Sequence, residues 1–250
     1  MFPFFRFICQ LLVVLAIPGV TQGACSDPPA PGVIWIGCPL AQHNLQGAQL
    51  RQAVLVRSHL AGADLRGADL TGADLSSANL QNAHLEGARL GGSTLVAADL
   101  RGAVFTGAFL ERARLDRAIL EGVQLTQAQL SNASLYDVKA TGLIAVAAVL
   151  DGVNGEQATL RGSDFSGASL RGANLTQANL ENAQLSGAIL EKARLERALL
   201  LGANLTGTDL SRANLAGAEL GGAHLDQARL GNATWVDRRR CKPTAVGECQ

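Results

Sequence analysis

Leucine recurs at every fifth residue of this chain, and few backbones tolerate that spacing. From Leu45 to Leu135 every residue whose number is a multiple of five is leucine, apart from Phe105. The same holds from Leu160 to Leu230, apart from Phe165. On an α-helix a step of five residues turns the side chain by a net angle of about 140°, so successive leucines spiral around the axis and form no single apolar stripe. On a straight strand an odd step sends alternate leucines to opposite faces. A short extended piece that bends at every repeat satisfies the spacing: in AGADLRGADLTGADL (residues 61–75) Ala63 and Leu65 both point inward and the next residues turn the corner. Gly67, Gly72 and Gly87 fall two residues after a leucine, where a bend gains from the absence of a Cβ. The chain therefore winds around its own core as a solenoid.

The unit written by ADLTG from Ala68 and ANLTQ from Ala173 is a small residue, Asp or Asn, Leu or Phe, a polar residue, then often Gly. In this it resembles the pentapeptide-repeat family, over roughly four fifths of the chain. The resemblance implies an all-β fold, a right-handed quadrilateral β-helix with four repeats and twenty residues per coil, and hence about nine to ten coils.

The period alone does not give four sides. Stacking at twenty residues opposes Arg66 to Glu86, Arg101 to Glu121, Arg161 to Glu181 and Asp69 to Arg89. Stacking at fifteen, as in a three-sided coil, also opposes unlike charges, Glu86 to Arg101 and Asp99 to Arg114. A near-duplicate favours twenty: LERARLDRAIL from Leu110 returns as LEKARLERALL from Leu190, an offset of eighty.

The ends differ from the body. Residues 1–23 carry one charge, Arg6, an apolar run from Phe7 to Val20 that is short for a bilayer span, and small residues at Thr21 and Gly23, which together read as a secretory signal peptide. An uncleaved anchor and lipidation of Cys25 are the alternatives; Gln22 fits a lipidation motif poorly. Residues 24–42 form the expected N-terminal cap, 43–235 the solenoid and 236–250 the C-terminal cap. After signal removal the remaining cysteines are Cys25, Cys38, Cys241 and Cys249, all outside the repeats and spaced as two local disulfides, Cys25–Cys38 and Cys241–Cys249. Their spacings match no usual zinc pattern. Trp35 and Trp235 flank the repeats as lids for the first and last coils.

Little in the sequence suggests catalysis. His43, His59, His84 and His224 do not cluster; on a twenty-residue coil His84 and His224 share a side but lie roughly 34 Å apart. Asp64 beside His84 reads as a surface contact, and Asp64, Asp69 and Asp74 fall on successive sides. The glycines mark corners and form no phosphate loop. The expectation is no enzyme activity, with no catalytic, cofactor-binding or metal residues and no cofactor. Without Arg6 the chain holds twenty Lys plus Arg against twenty-one Asp plus Glu, interspersed, which makes nucleic acid an unfavoured partner. Arg238, Arg239 and Arg240 read as a solvated tail.

The repeat degenerates in one place, TGLIAVAAVLDGVNGEQA (residues 141–158). Its phase survives across four units, which argues for an irregular coil in line with the rest, with a bulge or short helix as the alternative. In line, Ile144, Val146 and Val149 face outward near Val104 and Phe109 and make a candidate contact patch.

The functional expectation is a non-enzymatic exported scaffold or protein-binding module, periplasmic or secreted if the source is bacterial. Its partner would be a protein or envelope component, with self-association left open and no stable membrane span after signal cleavage. The family resemblance supplies the alternative, a DNA mimic that protects topoisomerases, whose members are acidic and cytoplasmic.

Overall fold

The computed structural model describes residues 24–250, so the expected signal peptide lies outside the described residues. The body is a set of ladders in which each bridging residue pairs with the one twenty positions on, from Ile34↔Val54 to Asn214↔Thr234, always in parallel. Four repeats therefore complete one coil, and the fifteen-residue alternative is excluded. Each repeat contributes one bridging residue, too short a run to form a regular strand. In chain order the bridging columns define side 1 (Ile34 to Thr234), side 2 (Pro39 to Glu219), side 3 (Asn44 to His224) and side 4 (Gln49 to Arg229).

The repeat can be derived from its amide groups. Take Ala63 to Gly67. The Ala63 N–H closes a turn onto the Leu60 carbonyl (3.0 Å), Asp64 donates back to His43 in the preceding coil (2.9 Å), and Leu65 donates forward to His84 (2.7 Å). Gly67 also donates forward, to Glu86 (3.0 Å). The one amide left without a backbone partner belongs to Arg66, and the Asp64 carboxylate accepts it (3.2 Å). The same side-chain cap recurs at Asp69–Thr71, Asp74–Ser76, Asn79–Gln81, Asn174–Thr176 and Asp209–Ser211. This explains the preference for Asp or Asn before each leucine: it satisfies the last orphan donor of the repeat.

The corner residue two after each leucine has positive φ throughout, as at Gly62 (+64°) and Gly67 (+64°). Glycine adopts that conformation freely, whereas Ala97 (56°) and Arg112 (58°) hold it against Cβ crowding. The core is a stack of inward residues, alanine before the bridge and leucine after it, nearly all fully buried, with Phe105 and Phe165 in leucine positions. Trp35 is buried in the first coil and Trp235 packs on the last, both against this core.

Residues 141–158 stay in the ladder: Ile144 bridges Gln124 and Asp164, and Val149 bridges Gln129 and Ser169. The segment departs in volume. Val138 precedes Ala140, Leu143 precedes Ala145, and Val153 precedes Gly155, all buried or lining the core. The large residue has moved to the position before the bridge and the small one to the position after it, so each repeat keeps much of its core volume. A remnant of the mismatch is an apolar cavity of about 10 Å³ beside Gly155, lined among others by Leu150, Phe165 and Leu175.

The ladder begins at Ile34, inside the segment expected to be the N-terminal cap, with Pro31 and Gly32 forming its first corner. Pro39 has no N–H to donate, and it stands in the first coil, where no described coil precedes it to accept one. At the other end residues 236–250 turn back and pair antiparallel, Thr234↔Arg240 and Arg229↔Val246. Both disulfides form as expected, Cys25–Cys38 and Cys241–Cys249. Among the described residues no helix is long and apolar enough to cross a membrane.

Candidate contact surface

Because the backbone satisfies all but one amide of each repeat, the outward columns tolerate many side chains, and their content decides what the surface can do. Val104, Gln124 and Ile144 are successive on side 3; Phe109, Gln129 and Val149 are successive on side 4. Val146 lies at the corner between those sides. The five patch residues thus occupy two adjoining sides, with Gln124 and Gln129 interleaved. Phe109 (44 %) and Ile144 (40 %) are the most exposed, and Val104, Val146 and Val149 are half-buried.

What the sequence reading missed is that the whole strip lacks charge. The segments 104–109, 124–129 and 144–149 read VFTGAF, QLTQAQ and IAVAAV, three stacked stretches on sides 3 and 4 without a charged residue. Charges bound it at Glu86 and Arg89 on one side and Asp164 on the other. The signal was available at an offset of twenty, once that offset was established.

Elsewhere the surface is a lattice of short ion pairs. Of the cross-coil pairs expected at twenty residues, Arg161–Glu181 forms (3.5 Å). Arg66 and Arg101 turn instead to Asp64 (2.5 Å) and Asp99 (2.6 Å), two residues back, and Asp69 pairs with Arg51 (3.4 Å) in place of Arg89. The carboxylate already accepts the amide of the following arginine, so closing the guanidinium onto it orders few further bonds. The Arg66 hydrogen bond holds the Asp64 carboxyl down at about 2 against an opposing effect of burial. Asp99 is lowered by Arg101 in the same way. In Asp69 and Asp209 burial pushes upward but is outweighed by hydrogen bonds from Thr71 and Ser211.

Asp64 and His84 are ladder neighbours, yet His84 Nδ1 lies 3.6 Å from Glu86 and Asp64 is engaged by Arg66, so the two make no dyad. Among the described residues no three His, Cys, Asp or Glu side chains converge as metal ligands. The arginine run at 238–240 is not a free tail: the Arg239 carbonyl accepts from Trp235, and Arg240 bridges Thr234. Its side chains remain exposed.

A family described as pentapeptide repeats matches the chain in eight copies, over residues 44–82, 78–117, 110–142, 147–177, 178–217 and 193–232. No curated protein matches the chain closely enough to be named as a relative. Among solved structures it is similar to HetL, a pentapeptide repeat protein involved in heterocyst differentiation regulation from the cyanobacterium Nostoc sp. strain PCC 7120. That likeness has 33 % identity, covers 82 % of this chain and 90 % of that one, and has a TM-score of 0.50. It is also similar in fold to trypsin-treated QnrB1, a plasmid-mediated fluoroquinolone resistance protein, at 18 % identity over 74 % of this chain and 89 % of that one, with a TM-score of 0.52. With repeats matched from residue 44 to residue 232 and laid down as a ladder of twenty-residue coils, this chain belongs to the pentapeptide-repeat family.

Proposed function

We propose that the protein is a non-enzymatic exported scaffold, a right-handed β-helix of about ten coils that binds a partner protein or envelope component along sides 3 and 4. The observation that carries this reading is the charge-free strip of Val104, Phe109, Ile144, Val146 and Val149 on a surface otherwise studded with ion pairs. Apolar side chains held outward on a rigid ladder lose little entropy when a partner covers them. Two formed disulfides support an oxidising compartment, periplasmic or secreted. The balanced, interleaved charges support protein binding over nucleic-acid binding or imitation of a polyanion.

The test is the double substitution Ile144→Lys with Val149→Lys. The expected result is loss of self-association, or of capture from an envelope fraction, with the melting temperature of the monomer nearly unchanged. Retained capture by the folded variant refutes the assignment of this strip. Marked destabilisation of the monomer shows instead that these side chains serve the core.

A further inference from the structure

The last coil is closed on two of its four sides. On side 4 the Leu230 N–H donates to Ala245, and the Ala228 carbonyl accepts from Gly247; on side 1 Trp235 donates to Arg239, and Ala233 accepts from Cys241. The returning segment thus takes the place of the next coil there. On sides 2 and 3 nothing among the described residues does. The amides of Leu220, Gly222 and Leu225, and the carbonyls of Ala218 and Ala223, have no backbone partner among the described residues, although the equivalent groups in the preceding coils are paired. Leu220 and Leu225 are correspondingly only part-buried, where the other repeat leucines are buried. Above the side 3 part of this edge lies a groove of about 560 Å³, lined by Ala223, His224, Leu225 and Asp226 of the last coil and by Val246, Gly247 and Glu248 of the returning segment.

We propose that this open half-edge binds an extended, cationic peptide segment as the missing rung of the ladder. The chemistry of the occupant follows from what the edge lacks. Its carbonyls would accept from Leu220, Gly222 and Leu225, and its amides would donate to Ala218 and Ala223, as in every completed coil. An apolar side chain above Leu225 and a small one above Ala223 complete the core stack. The groove is lined by two carboxylates, Asp226 and Glu248, beside one imidazole, His224, and by no lysine or arginine, which favours a cation on the outer positions of the peptide. The flat end of a second copy is disfavoured, because the returning segment stands one rung above the last coil and meets it first. A single peptide passes beside that segment.

The experiment uses the full chain and the peptide Ala-Asn-Leu-Lys-Asn-Ala-Gln-Leu-Ser-Gly, the sequence of residues 178–187 with lysine in place of Glu181. Amide hydrogen exchange at Leu220, Gly222 and Leu225 is followed with and without peptide. The expected result is at least tenfold slower exchange at these amides. Glu248→Lys, an exposed change that breaks no ladder bond, should weaken the protection severalfold at unchanged melting temperature. Ile144→Lys with Val149→Lys should leave it unaltered, which separates this site from the strip on sides 3 and 4. Absence of protection at millimolar peptide overturns the proposal. So does equal protection by a control peptide with proline at its two ladder positions, or protection without peptide that grows with protein concentration alongside end-to-end oligomers in sedimentation.

Discussion

Exchanging the two core residues of one degenerate repeat tests whether 141–158 is an ordinary coil with its volumes reversed. Leu143 is 1 % exposed and Ala145 is fully buried, two residues apart and both inward. Leu143→Ala deletes the equivalent of three buried methylene groups, about 2.4 kcal/mol by transfer alone, and the cavity left behind brings the cost to about 3 kcal/mol. Ala145→Leu inserts the same volume beside an intact Leu143 and should cost about 2 kcal/mol through overpacking. If the two sites share one volume, the double variant restores the usual order, alanine before the bridge and leucine after it. Its cost should then be only about 1 to 2 kcal/mol, far below the additive sum of about 5 kcal/mol, a coupling of about 3 kcal/mol. The assay is guanidinium unfolding followed by circular dichroism, with exchange at the Ile144 amide, which donates to the Val123 carbonyl, as a local reporter. Additivity within about 0.5 kcal/mol would refute the reasoning, because it would mean that the two positions fill separate spaces.

Ala97→Gly should stabilise the protein by about 0.5 to 1 kcal/mol, since φ of 56° at this corner is strained for alanine and free for glycine; a loss of stability measured by the same denaturation would contradict the strain. Cys241→Ser with Cys249→Ser opens an eight-residue link and should cost about 2.5 kcal/mol of loop-closure entropy, read as a lower melting temperature and faster exchange at the Leu230 and Cys241 amides. Asp64, Asp69, Asp99 and Asp209 all have carboxyl pKa values lowered on folding, Asp64 to about 2. Their contribution to stability is therefore complete above the unfolded carboxylate range near pH 4 and is lost as pH falls from there toward 2. The melting temperature should decline through that window, and by less in Asp64→Asn with Asp99→Asn.

The sequence makes the solenoid legible because leucine is inward at every repeat and the inward period is independent of the number of sides. The number of sides is a property of the corner geometry, and corner residues as different as Gly67 and Arg112 adopt similar positive φ here, so the residue type at a corner does not announce its angle. Charge was a poor guide for the same reason. Arg66 and Arg101 find a carboxylate two residues back, so their sequence neighbours satisfy them and say nothing about stacking. The inward role of Leu143 was hidden because core size had been read from the leucine column alone. At the C-terminus Trp235, Cys241 and Cys249 announced a cap, but that it covers only sides 1 and 4 depends on the direction in which residues 236–250 return.

The strip on sides 3 and 4 illustrates a division of labour within each repeat. Inward alanine and leucine make the core, the corner residue sets the bend, and Asp or Asn before the leucine caps the remaining amide where it occurs. From Val104 to Val149 no repeat carries that Asp or Asn, and at Val104, Phe109, Gln124, Gln129, Ile144 and Val149 the amide two residues on has no backbone partner among the described residues. A side-chain hydrogen bond of this kind contributes about 1 kcal/mol, so several consecutive repeats forgo it across this surface. The loss is local and tolerable, because the ladder bonds through neighbouring residues are unaffected. Within these coils it is on sides 3 and 4 that charge also disappears and apolar side chains turn outward, whereas sides 1 and 2 carry Arg114 and Lys139. A single apolar or amide residue at these bridging positions forgoes cap and charge together, and on sides 3 and 4 the exchange runs through three stacked coils, as expected where folding preferences yield to contact with a partner.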